Sequence, residues 1–91
     1  MSTDVLAEIR VRFRERALAD ADTLSAALKG GDNGQIEALA HGLAGAAGIF
    51  GFTDVSALAK AVDQRFADGE TPSPAQIEAL IAAIRRDMTY S

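Results

Sequence analysis

The chain has no cysteine and no tryptophan, and its 91 residues include only two prolines, one tyrosine and four phenylalanines. Without cysteine there is no disulfide scaffold, no thiolate zinc site and no cysteine nucleophile. The single histidine, His41, excludes a two-imidazole metal site or catalytic dyad built from this chain alone. No apolar run approaches the roughly 20 residues that span a bilayer. The opening Met1-Ser2-Thr3-Asp4 has neither the basic start nor the apolar stretch of a secretory signal, and Asp4 and Glu8 argue against an organelle transit peptide; the expectation is a cytoplasmic protein. Positive charge is also scarce, with nine Lys and Arg against thirteen Asp and Glu, a net charge of −4. That balance gives no general attraction to nucleic acid phosphates or anionic membranes and points instead to a protein partner or a small ligand.

What the chain does have is small apolar material: 48% hydrophobic residues with 5% aromatics, chiefly Ala and Leu. This suits close-packed helices, and the length suits one domain over residues 1–91, since halves this small rarely fold without disulfides or metal. Four segments carry helical spacing. The first stripe is Leu6, Ile9, Phe13, Ala17, Ala21, Leu24 and Leu28, ending at Lys29-Gly30-Gly31, where a cationic last turn meets glycine. The second is Ile36, Leu39, Ala40, Leu43, Ala47 and Phe50, opened by Asp32 with Gln35 three residues on and closed by Gly51. The third is Val55, Leu58, Ala59, Val62 and Phe66, with Thr53 as N-cap and Gly69 as stop. The fourth is Ile77, Leu80, Ile81, Ile84 and Met88, opened by Ser73, Pro74 and Gln76 in N-cap, first-turn and capping-box positions. No period-2 pattern competes, and short connections make neighbouring helices antiparallel. The predicted fold is all-α, an antiparallel up-down four-helix bundle with a core complete enough for a monomer.

The second helix is unusual. Gly42, Gly45 and Gly48 lie inside it, each costing about 1 kcal/mol relative to Ala. At about 100° per residue, His41, Gly45 and Gly48 point away from the stripe of Ile36, Leu39, Leu43, Ala47 and Phe50, so the imidazole faces water or a partner on a nearly bare surface. Two readings follow. Glycines three apart let helix backbones pack closely, and an exposed histidine is often only polar surface. Alternatively, one accessible imidazole with little around it suits phosphoryl carriage: with a reference pKa of about 6.5, a ring nitrogen keeps a free lone pair for in-line attack on phosphorus, while the remaining catalytic groups sit on the partner.

Ala40-His41-Gly42-Leu43-Ala44-Gly45-Ala46-Ala47-Gly48-Ile49-Phe50-Gly51, followed by Leu58, Val62 and Asp63, resembles the histidine-containing phosphotransfer (HPt) domains of bacterial phosphorelays. Their mark is Ala-His-x-Leu-Lys-Gly, then small residues and a following helix with Leu-x-x-x-Ala-x-x-x-Glu-like spacing. The resemblance covers most of the chain and implies that His41 accepts a phosphoryl group from an aspartyl phosphate on a receiver domain, or from a kinase histidine, and passes it to another receiver. It implies that Gly45 leaves room for the receiver's active site to close over the ring. It implies no cofactor on this chain and no independent catalytic centre, with Mg2+ on the partner receiver; the partners are response-regulator receivers and a hybrid histidine kinase, not nucleic acid or membrane.

One position departs from the family pattern. Ala44 stands where the family usually has a lysine whose ammonium pairs with the phosphoryl oxygens. Folding the chain at Phe52 into an antiparallel hairpin sets Ala44 beside Lys60 and His41 beside Asp63. Lys60 is then a candidate replacement for that lysine, or merely solvated. Asp63 is a candidate acceptor for one ring nitrogen of His41, exposing the other, or an ordinary surface carboxylate. Ile49 falls on the histidine side of its helix, either as an apolar anchor for a partner or packed on the first helix. Arg10, Arg12, Arg14 and Arg16 divide between two sides of the first helix, with Glu8, Glu15 and Asp20 at pairing distances; they read as a solvated face or a dock for an acidic receiver surface. Two further functions stand beside the carrier: a binding or scaffold module that kept the bundle and lost transfer, favoured by Ala44, and an acyl carrier, for which Asp54-Val55-Ser56-Ala57-Leu58 does not reproduce the Asp-Ser-Leu attachment setting.

Overall fold

The computed structural model describes residues 2–89, with side chains from Val5 onward; the side chains of Met1–Asp4, on which the targeting expectation drew, lie outside the described residues. Four helices account for the fold: α1 (Ser2–Gly30), α2 (Asn33–Ile49), α3 (Thr53–Ala67) and α4 (Pro74–Thr89). Each packs on two neighbours in ring order, α1 on α2, α2 on α3, α3 on α4 and α4 back on α1, which is the expected four-helix bundle. Among the described residues no helix is long and apolar enough to cross a membrane.

The turns between helices follow from three glycines. Gly31, Gly51 and Gly69 adopt φ of 73°, 81° and 78°, the left-handed region where a Cβ is strained. In each case the next residue's N–H reaches back five residues, Asp32 to the Ala27 carbonyl at 2.9 Å, Phe52 to Ala47 at 2.9 Å and Glu70 to Arg65 at 2.8 Å. This is the Schellman closure, which satisfies carbonyls the helix end would leave orphaned. The starts are equally local. Asp32 caps α2 by accepting from the Gln35 N–H at 3.2 Å. At α4 the capping box is complete, with the Gln76 N–H donating to Ser73 Oγ at 3.2 Å and the Ser73 N–H donating to Gln76 Oε1 at 3.1 Å. The start of α3 differs from the expectation: Thr53 is the first helical residue, the cap is Phe52, and no side chain bonds there, because the glycine turn already aims the chain and Phe52 is held by packing.

The core is built from small residues at the crossings and branched ones between them. Ala17, Ala21, Leu24, Ile36, Ala40, Ala47, Val55, Ala59, Val62, Leu80 and Ile84 are all but fully buried. Every expected core position of α4, from Ile77 to Met88, is buried. The first stripe behaves differently at its start: Leu6 is 61% exposed and Ile9 42%. The reason is length. At a 1.5 Å rise, the 29 residues of α1 run about 44 Å, against about 22–26 Å for helices of 15 to 17 residues. The α2–α3 turn meets α1 at Phe13, whose ring stacks on Phe50 at 5.0 Å and Phe52 at 5.8 Å between centroids. Above that level α1 runs on with no neighbour among the described residues to cover its apolar face. Arg10 closes the aromatic cluster, its guanidinium 5.3 Å from the Phe52 ring centroid. At the same end Arg86 of α4 reaches Asp54 of α3 at 3.0 Å.

Candidate functional site

His41 lies in the middle of α2, on the edge that faces α3. The same antiparallel register that starts at the Gly51 turn brings Asp63 of α3 opposite it, and the two side chains meet: His41 Nδ1 is 3.1 Å from Asp63 Oδ2. A carboxylate only accepts, so Nδ1 carries the proton and donates, and Nε2 keeps its lone pair. The imidazole is 79% exposed and the carboxylate 31%. The ring is therefore held through Nδ1 by a half-sheltered group, while most of the imidazole stands open to solvent.

The three glycines of α2 do different things. A Cβ built on Gly48 would sit 3.2 Å from Ser56 Oγ, and Ser56 is buried and donates to the Ala44 carbonyl at 2.9 Å. Gly48 is thus kept small by the α2–α3 seam, which is the close-packing reading. A Cβ on Gly42 or Gly45 would meet no heavy atom within 4 Å. Nothing inside the protein asks these two to be glycine, and they leave the ground beside the imidazole flat.

The other expected site residues fall into place around this pair. Ala44, the position where the family usually has lysine, turns into the seam, 7% exposed, so its methyl supports helix packing. The cause is rotational: three residues beyond His41 the helix has turned about 300°, towards the core side of the α3 edge. Gly48, seven residues beyond His41, points almost the same way as the ring and is exposed, yet it borders the seam through the contact a Cβ there would make with Ser56. Lys60 is exposed, carries no hydrogen bond or ion pair among the described residues, and stands about 40° around α3 from Ser56 on the side that borders α2. Its helical position is on the edge of α3 towards α2, and its ammonium has no partner among the described residues. Ile49 is 81% exposed, which excludes packing on α1. Of the arginine row, only Arg16 pairs along the helix among the described residues, with Asp20 at 3.4 Å.

Ser56 lies in a segment that lacks the acyl-carrier attachment setting, and its hydroxyl is committed to the Ala44 carbonyl inside the seam. The hairpin register that pairs His41 with Asp63 also sets Gly48 opposite Ser56, so the signal was present. Among the described residues no group of three or more His, Cys, Asp and Glu side chains gathers where it would hold a metal ion.

Residues 8–88 match the family model described as the Hpt domain. No curated protein and no solved structure matches the chain.

Proposed function

The chain belongs to the Hpt domain family, whose work is phosphotransfer in two-component signalling, and from that premise we propose that His41 is its phospho-acceptor. The observation that carries this reading is the solvent-open imidazole, held through Nδ1, beside a Gly42 and Gly45 surface that no internal contact explains. The Nε2 lone pair attacks the phosphorus of an aspartyl phosphate on a receiver in line with the leaving carboxylate oxygen. The N–P bond forms as the P–O bond breaks, and the aspartate keeps the electron pair. Nδ1 keeps its proton throughout, donated to the Asp63 carboxylate, so neither direction of transfer needs a proton donor or acceptor on this chain. As the ring gains positive charge, the Asp63 carboxylate offsets it. Transfer onward to a second receiver is the same step reversed.

The groups that neutralise the phosphoryl oxygens are divided between the two proteins. Lys60 is the cation this chain brings, in place of the lysine absent at position 44. The receiver brings a magnesium ion held by its own acidic site, which supplies charge neutralisation at the transferring group. The domain is accordingly a carrier that completes its chemistry inside a complex rather than an enzyme with its own centre.

The test is to incubate the purified domain with phosphorylated receivers and hybrid kinases from its own genome, beside His41→Gln, and to follow label and intact mass. Acid-labile, base-stable label on the wild type alone is the expected result. No label from any competent donor would overturn the carrier reading in favour of a binding module that keeps the bundle without transfer.

A further inference from the structure

Of the five large apolar side chains that stand exposed among the described residues, four lie between Val5 and Val11 on α1. Three of them, Val5, Leu6 and Ile9, share an arc of about 100° that runs on from Phe13. Below Phe13 the core closes without help, so the bundle folds as a single copy. The overhang above it stays open, and an apolar face gathered in one place on an otherwise charged helix marks an interaction surface.

Charge along the overhang says what kind of partner fits. In sequence the acids Asp4 and Glu8 come first, and Arg10, Arg12, Arg14 and Arg16 follow, interrupted only by Glu15. A second copy laid parallel would set each arginine against itself. Laid antiparallel, it sets the acidic start of one helix beside the basic stretch of the other, so the helix is its own complement.

Length fixes the register. From Ser2 to Phe13, α1 rises about 16 Å. Two overhangs slid fully past one another bring Ser2 of each level with Phe13 of the other, where the α2–α3 turn stops further travel. In that register Leu6 of one copy is level with Ile9 of the other, and Ile9 with Leu6. Position 4 falls level with position 11, between Arg10 and Arg12 of the second copy. The length of the overhang and the spacing of its apolar residues thus call for the same arrangement.

We propose that the α1 overhang is a self-association surface: a second copy of this chain covers Val5, Leu6 and Ile9, with the two helices antiparallel about a two-fold axis and the bundles at opposite ends. The contact is short, so the dimer is weak and reversible. It leaves His41 open in both copies. The stacking of Phe13 on Phe50 sets His41 level with Asp22 on the neighbouring helix, about 20 Å along α1 from Ile9.

Sedimentation of the purified chain from about 5 to 500 µM, a range that brackets contacts of this size, tests the proposal. The weight-average mass should climb towards twice the monomer value in wild type. It should stay at the monomer value in Leu6→Glu and Ile9→Glu, each of which puts two carboxylates into the two-fold contact and raises Kd at least a hundredfold. Leu6→Glu should keep the wild-type Tm at the lowest concentration, since Leu6 is 61% exposed. A wild type that stays monomeric throughout overturns the proposal and leaves the face to a different partner. So does a mass rise that both variants keep, or a lowered Tm in dilute Leu6→Glu, which would put the face inside the fold. Orientation is read with thiols, which the chain otherwise lacks. In the antiparallel register the thiols of Val5→Cys and Arg12→Cys, on one edge of the arc, differ in height by about 3 Å across the axis. Each differs from its own copy by about 7.5 Å and about 13.5 Å respectively. A mixture of the two should therefore oxidise chiefly to the mixed dimer, and faster self-crosslinking of each would mark a parallel pair and overturn the arrangement.

Discussion

Gly45 and Gly48 lie one helical turn apart, and replacing each with alanine should move stability in opposite directions. Alanine in a helix interior is favoured over glycine by about 0.8–1 kcal/mol. At Gly45 the new methyl meets no heavy atom within 4 Å, so Gly45→Ala keeps the whole gain. For a domain of this size that is a rise in Tm of about 4–8 °C. At Gly48 the methyl arrives 3.2 Å from Ser56 Oγ and 3.9 Å from Ser56 Cβ. Ser56 cannot simply turn aside, because its hydroxyl is bonded to the Ala44 carbonyl at 2.9 Å in a buried seam. Overpacking of this kind costs about 1–3 kcal/mol, which cancels or exceeds the propensity gain, and Gly48→Ala should melt at or below the wild-type temperature. Thermal unfolding followed by circular dichroism measures both, and phosphoryl transfer from a receiver is measured on the same samples. Gly45→Ala should be the more stable and the slower protein, because its methyl stands on the ground the partner must cover. Equal stabilisation by the two substitutions would refute the assignment of Gly48 to the seam. A destabilised Gly45→Ala would show that the fold itself covers that face.

Asp63→Asn keeps an acceptor for His41 Nδ1 and removes the charge behind it, so phosphoryl acceptance should fall roughly three- to tenfold, a range set by the exposure of the pair; 15N spectra of the imidazole check that the Nδ1–H form is retained, and a wild-type rate removes Asp63 from the mechanism. Lys60→Ala should leave Tm unchanged, since the ammonium bonds nothing among the described residues, and lower transfer about fivefold, as expected for one partly screened cation; an unchanged rate refutes its place at the phosphoryl group. Ser73→Ala breaks both halves of the α4 capping box and should cost about 1 kcal/mol in urea unfolding. Leu80→Ala, at a site with no exposure, should cost about 2–5 kcal/mol in the same assay.

The local sequence determined the helices and their ends. Apolar positions at three- and four-residue steps set the faces of α2, α3 and α4, and Gly31, Gly51 and Gly69 could be placed as stops because left-handed backbone is a property of one residue, not of its neighbours. The resemblance around Ala40-His41 and the hairpin register were legible for the same reason: a tight turn fixes which residues of two antiparallel helices share a height, and that height brought His41 to Asp63. Rotation and length were not legible. Whether Ala44 looks out beside the histidine or into the seam depends on how far α2 is turned towards α3, and that is set by Ser56 reaching the Ala44 carbonyl over the missing side chain of Gly48. Leu6 and Ile9 continue the core stripe in phase, yet stand in solvent because α2 and α3 turn back at Phe13. Helical spacing alone also gave no packing reason that told Gly48 from Gly42 and Gly45. Tertiary contacts separated them, since a glycine's reason is the atom its missing Cβ would have struck, and that atom belongs to another helix at Gly48 and to no part of the protein at Gly42 and Gly45.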